Sequence, residues 1–422
     1  MGLPRHQSTL LWRAEPQQRT VLVNAILVKM SNIGKWQQQF IVHLIPLIMS
    51  IRGRINFMQM SRYGTYSMTS YRNNFDKSFD FGSFNSEHIK IKGTGHHVIL
   101  FDPSHIRKSG KSTFGKGRFW SGCDGQCKLG LEIGGIAVGD VEHHTAFHYE
   151  AIQTPNAESL KKSNKTLIDH YAEIIIKRKD ELNTFSKYLV VDAYFSKKSY
   201  VDKIIDNTNF DIISRLRDDA VMYYIFDGPP TGKRGRPQVY DGKVNTKNPA
   251  MNYFKIVHQD SEIRIFSAII YVKSLQRKVK IALVQYLHEH SPKIKSTKIY
   301  VSTDVDLSAW YIVKYYKLRF QIEFIYRDAN QFTGLEHCQA RSEEKLNFHF
   351  NASLTTVSIA KSAHWLSIPK EQRESFSMAD VKTIYHNQLL LERFFDVFAI
   401  DPDTHKNNPK VKELYYFGSI AA

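Results

Sequence analysis

The 422-residue sequence has only three cysteines, Cys123, Cys127 and Cys338. So few thiols exclude a disulfide-stapled framework and fit a reducing compartment. Long apolar runs are also missing. The most apolar stretch, from Phe40 to Ile51, is interrupted by His43 and Pro46 and is too short to cross a bilayer, so it reads as a buried helix. The N-terminal residues lack the apolar segment of a secretory signal, which leads to the expectation of a cytoplasmic protein with no membrane partner. Acidic residues are in short supply: 41 Asp and Glu face 58 Lys and Arg, a formal charge of +17. Such a surplus points to a polyanionic partner, nucleic acid first, because each neutralised phosphate releases counterion. No repeat or low-complexity segment is present. What is abundant is apolar and aromatic residues, at 42% and 13%, enough for a large core spread over two or three domains.

Residues 1–90 carry eleven Lys and Arg against four acids and show helix-like apolar spacing. Within them, IRGRINFMQMSRYGTYSMTSYRNNF interleaves Arg52, Arg54, Arg62 and Arg72 with tyrosines, around a break at Gly64. This pattern predicts a helical, basic DNA-binding region. From His96 to Asp218 the runs HHVILFD, LGLEIGGIAVG, AFHYEAIQ, KYLVVDAYF and FDIISRL read as strands, with a long helix over 157–184 and a shorter one over 197–206. Mixed α/β is the fold class this order predicts. Residues 219–297 read as a β-rich insertion, entered through a basic loop containing Lys233, Arg234 and Arg236. Helices are expected again over 311–331, 342–363 and 379–398.

HHVILFD and KYLVVD are nearly continuous apolar runs, as strands covered on both faces are, and both end in an aspartate, Asp102 and Asp192. In YIVKYYKLRFQIEFIYRDANQ, Tyr316, Arg319, Glu323, Arg327 and Asn330 fall on one helical stripe, with Leu318, Ile322, Ile325 and Ala329 opposite. Two strand-end aspartates and one helix glutamate suffice for a two-metal phosphoryl-transfer site, so Asp102, Asp192 and Glu323 are the candidate catalytic and metal-holding residues. Arg319 and Arg327 suit phosphate neutralisation. Lys108 and Lys111 lie in a basic run after Asp102 that reads as a DNA-facing loop. In the same run, HIRKSGKS fails as a P-loop because His105 stands where its first glycine belongs.

These motifs resemble those of bacterial insertion-sequence DDE transposases of the IS-four group, whose signature is Tyr, two residues, Arg, three residues, Glu, six residues, Lys. Tyr316, Arg319 and Glu323 match it in type and spacing; Asn330 stands where the lysine is expected. FDPSHIRKSGKSTFG around Asp102 and YLVVDAYFSKKSYVDKI around Asp192 add to the resemblance. It implies a ribonuclease H-like core in two parts, 91–218 and 298–363, split by the insertion and followed by a helical C-terminal region, 364–422. It further implies cut-and-paste transposition with two divalent metal ions, Mg²⁺ or Mn²⁺, through a hairpin intermediate. The expected partners are terminal inverted repeats, target DNA and a second copy of the chain, in a nucleoid-associated setting. Tyr316 and Arg319 are expected at the DNA end, with Arg52, Arg54, Arg62, Lys108, Lys111, Arg327 and Asn330 as further phosphate contacts. Two alternatives stay open: an inactive DNA-binding relic, and a nuclease using the same acidic triad.

Overall fold

The computed structural model describes residues 17–229, 237–288, 291–401 and 408–420. Five helices open it: α1 (Gln17–Val28), α2 (Lys35–Ser50), α3 (Phe57–Tyr63), α4 (Met68–Phe75) and α5 (Phe81–Lys92). Their starts follow local chemistry. The side chains of Asn56, Ser67 and Asp80 accept the backbone N–H three residues on, at the first turns of α3, α4 and α5. Gly64 ends α3, and a Cβ there would lie 2.1 Å from the Tyr71 hydroxyl, so the break also brings α4 close.

Four strands follow, β1 (His97–Arg107), β2 (Gly117–Ser121), β3 (Gln126–Asp140) and β4 (Thr145–Gln153). The single long helix expected over 157–184 is three: α6 (Ala157–Lys162), α7 (Leu167–Lys177) and α8 (Lys179–Asn183). Asn164 takes a left-handed conformation (φ 51°), and Thr166 with Asp169 closes a capping box that restarts the chain as α7. Then come β5 (Tyr188–Val191), α9 (Lys198–Asn207) and β6 (Asp211–Leu216). The β-rich stretch supplies β7 (Met222–Ile225), β8 (Tyr240–Lys243), β9 (Lys255–Gln259), β10 (Ile263–Val272), β11 (Arg277–His288) and β12 (Ser291–Ser302). Helices complete the chain: α10 (Ala309–Leu318), α11 (Phe320–Asp328), α12 (Glu343–His364), α13 (Met378–Val397) and α14 (Pro409–Tyr416). Lys233, Arg234 and Arg236 lie outside the described residues.

All twelve strands join one mixed sheet. One end of it runs β4-β3-β1-β5-β6, with β1, β5 and β6 parallel and β3 antiparallel to both β1 and β4. The β-rich stretch continues this sheet without interruption, because β12 pairs antiparallel with β6. One face is covered by α7, α8 and α9, whose Tyr171, Ile175, Leu182 and Ile204 pack on Ile99, Phe101, Leu189 and Val191. The other face receives α10–α13 and the opening helices over Val98, Leu100, Val190 and Ile213.

Helix α12 is buried along nearly its whole length, and its polar side chains have work to do. The edge strand β4 would leave a row of backbone groups unpaired. Asn351 closes it like a short strand, its amide donating to Ala151 O (2.9 Å) and accepting from Ala151 N (2.8 Å). Ser358 Oγ accepts from His148 N, and Asn85 from α5 donates to Tyr149 O. The hydrophilic sequence of α12 is thus compatible with a core position.

Candidate active site

Strand register brings the two aspartates together. In the parallel pair, Leu100 lies opposite Val190 and Phe101 opposite Val191, so Asp102 and Asp192 are the next residues on neighbouring strands about 4.8 Å apart. Alternation puts both on the sheet face that Leu100 and Val190 share, beneath α10 and α11. Asp192 follows the last residue of β5; its carboxylate accepts from Tyr194 N at 2.5 Å, and Ser214 Oγ donates to its carbonyl at 2.9 Å. Asp102 differs from expectation. It does not end its strand: β3 keeps pairing with β1 as far as Arg107, and only the partnership with β5 stops at Phe101.

The segment expected as one helix over 311–331 is divided. Helix α10 ends at Leu318, Arg319 forms the joint, α11 runs to Asp328, and a π turn occupies Ala329–Thr333. Leu318, Ile322, Ile325 and Ala329 are buried as the apolar stripe requires. Arg319 is buried as well (6% exposed) and lies between two carboxylates, its Nη1 3.4 Å from Asp102 Oδ1 and its Nη2 2.6 Å from Glu323 Oε1. Tyr326, one turn beyond Glu323, donates its hydroxyl to the Asp102 carbonyl oxygen at 2.7 Å. That approach requires Gly135, the β3 residue opposite Asp102, since a Cβ there would sit 2.0 Å from the Tyr326 oxygen. Burial pushes the Asp102 carboxyl up to about 7; Arg319 opposes the shift, while Glu323, Asp192 and Glu132 add to it.

The family described as transposase DDE domain matches residues 141–359, just over half of the chain. The chain belongs to this family. The matched span contains Asp192 and Glu323, and Asp102 precedes it. No curated protein matches the sequence. Membership identifies a transposase, for which DNA is the substrate class. No helix among the described residues is long and apolar enough to cross a membrane.

The remaining candidate residues of this transposase spread widely. Tyr316 is buried (7% exposed), its ring 4.9 Å from that of Tyr300, so it packs rather than lying on an open stripe. Arg327 turns from Glu323 to Asp328, with contacts of 2.9 and 3.0 Å, and lies over the Phe324 ring. Asn330, in the π turn, has a buried Oδ1 without a hydrogen-bond partner. Arg52 donates to Thr383 of α13; Arg62 and Lys111 are exposed. Lys108 binds the Cys338 carbonyl oxygen and, with Arg54, borders a groove beyond the acidic centre. Sequence reasoning missed Tyr326 and Gly135. The glycine pair at 134–135, inside an otherwise apolar strand, was the available signal for a close approach.

The transposase family typically uses divalent metal. Among the described residues, no three His, Cys, Asp or Glu side chains converge closely enough to hold an ion as they stand. The donor chemistry nevertheless fits. Asp102, Asp192 and Glu323 offer hard carboxylate oxygens, and two of them already share a cation in the Arg319 guanidinium. Burial raises the Asp102 carboxyl most, with smaller contributions from Glu323, Asp192 and Glu132 that outlast the opposing Arg319, so a further cation there would favour its ionised form.

Proposed function

We propose that this protein is an IS-four-group transposase that cuts and joins DNA at terminal inverted repeats, using Asp102, Asp192 and Glu323 as metal-holding catalytic residues. The observation that carries this reading is the Arg319 bridge between Asp102 and Glu323, above strands that hold Asp102 and Asp192 level. A ribonuclease H-like core, with the boundaries given above, is supported by the strand order β4-β3-β1-β5-β6 and its three parallel members. Bound Mg²⁺ or Mn²⁺ would supply activation of water or the 3′-hydroxyl and charge neutralisation at the leaving oxygen. The side chains supply the rest. Asp102 and Asp192 would hold the ions where the pairing of β1 with β5 ends, Glu323 closes the site from α11, and Tyr326 holds α11 to β1. Arg319, shared between two of these carboxylates, would supply a guanidinium to a phosphate oxygen at the same site.

Action as a homodimer is supported by the apolar residues Leu390, Phe394, Val397 and Phe398, exposed on one side of α13. The test of function is incubation of labelled DNA carrying the element ends with Mg²⁺ or Mn²⁺. Metal-dependent cutting followed by joining is expected, and Asp102→Ala, Asp192→Ala or Glu323→Ala should abolish cutting while sparing binding. Cutting without joining would make the protein a nuclease, and binding without cutting a relic.

A further inference from the structure

A groove of about 820 Å³ lies between three stretches distant in sequence: residues 54–72 around α3 and α4, residues 107–113 from the end of β1 onward, and residues 336–345 up to the first turn of α12. Arg54 and Arg72 line it from the first, Arg107 and Lys108 from the second, and Arg341 and Lys345 from the third. Arg54, Arg72, Arg107 and Arg341 are exposed and form no ion pair among the described residues. Lys345 is paired with Asp76. The one acid in the lining, Glu336, is engaged by the Arg107 backbone N–H at 3.2 Å. Burial, with Arg341 nearby, holds Lys108 below the ordinary lysine value. Four arginines without an acidic partner thus share the groove with a single lining carboxylate, Glu336, a surplus of positive charge that an incoming polyanion relieves.

The groove is also aligned with the acidic centre. Arg107 lies five residues along β1 from Asp102, about 17 Å at the usual strand rise. One strand of B-form DNA carries a phosphate about every 3.4 Å along the axis, so that distance spans about five of them. Phe57, Met58 and Met68 add apolar surface to the lining, suited to the sugar faces between phosphates and less so to an acidic peptide.

We propose that this groove holds the phosphate backbone of the DNA strand leading away from Asp102, with Arg54, Arg72, Arg107 and Arg341 as phosphate contacts. The identity of the polyanion rests on the transposase reading. Binding is independent of base sequence, since guanidinium groups meeting phosphates read no base edges. The groove also links the opening helices to the catalytic face, because one strand would touch α3, α4, β1 and the approach to α12 at once.

The test measures binding of a fluorescent DNA duplex of arbitrary sequence to the full chain across a salt series. The variants are Arg72→Gln/Arg341→Gln and, as a control of equal charge loss, Lys273→Gln/Lys278→Gln, on the β10–β11 turn and at the start of β11. Melting curves confirm that each variant is folded. The groove variant should lower the slope of log affinity against log salt by about two and weaken binding at least about tenfold, and the control should leave the slope unchanged. An unchanged slope in the groove variant, or an equal loss in the control, overturns the proposal. Cleavage of element ends by the wild type is scored separately. Cleavage with an unchanged slope refutes the groove and keeps the transposase reading, whereas a reduced slope without cleavage does the reverse.

Discussion

The Tyr326 hydroxyl reaches the Asp102 carbonyl oxygen at 2.7 Å through a space that exists because residue 135 has no side chain. This contact pins α11, which carries Glu323, to the strand that carries Asp102. Gly135→Ala should push the tyrosine away, costing about 1–3 kcal/mol of stability and at least about tenfold in DNA cleavage. Tyr326→Phe removes the oxygen that the new methyl would strike. Added to Gly135→Ala, it should therefore recover part of the lost stability, a coupling readable in a double-mutant cycle of melting temperatures. Strict additivity would mean that the two residues do not act through this contact.

Arg319 is the one cation that Asp102 and Glu323 share while no metal is bound. Arg319→Ala leaves the buried carboxylate without its partner and should cost about 1–3 kcal/mol in metal-free buffer. Mg²⁺ should then raise the melting temperature of the variant by more than that of the wild type, because the ion replaces the missing charge. Equal shifts would separate Arg319 from the metal site.

Asp102 makes stability depend on pH in a defined direction. Its native carboxyl titrates near 7, against about 3.9 in an unfolded chain, so the native state binds the extra proton between these values. This contribution to stability therefore falls as pH rises from about 4 to about 7, by up to a few kcal/mol, and is flat above. Asp102→Asn should melt higher than the wild type at pH 8 and close to it at pH 4. Mg²⁺ should stabilise the wild type more at pH 8 than at pH 5, since proton and metal compete for one carboxylate. Melting curves at these pH values, with and without Mg²⁺, decide it, and a pH-independent gap between the two proteins would count against the assignment.

Much of the sheet was legible because its central strands are continuous apolar runs: Val98–Phe101 and Leu189–Val191 are buried strands, as their composition demands. The helix bearing Glu323 was legible from its apolar stripe. Less could be read where pairing partners are distant. Pro103, Ser104 and His105 look like a loop, yet β3 holds them in β1; nothing local to the β-rich stretch announces that β12 will pair with β6. Tyr316 reads as a surface residue of its helix until Tyr300, from strand β12, covers it. The groove is invisible for the same reason, as its six cations come from three separate segments.

Arg327 and Asn330 test how the stripe works without the expected lysine. Arg327 binds Asp328, which is buried (4% exposed), and half of the arginine side chain remains in solvent. Removing Arg327 leaves a buried carboxylate without this partner, so Arg327→Ala should cost about 1–3 kcal/mol of stability, with a smaller effect on DNA affinity than Arg319→Ala has. Asn330 contributes no charge, and its Oδ1 lies buried with no partner, so Asn330→Lys loses no hydrogen bond at that atom and adds a cation one turn beyond Arg327. That substitution should tighten binding of element ends and steepen its salt dependence by about one unit of slope. The competing idea is that Arg327 already supplies the missing charge. It predicts the opposite pattern, with Arg327→Ala weakening end binding strongly and Asn330→Lys adding little, and binding curves of the two variants across a salt series distinguish them.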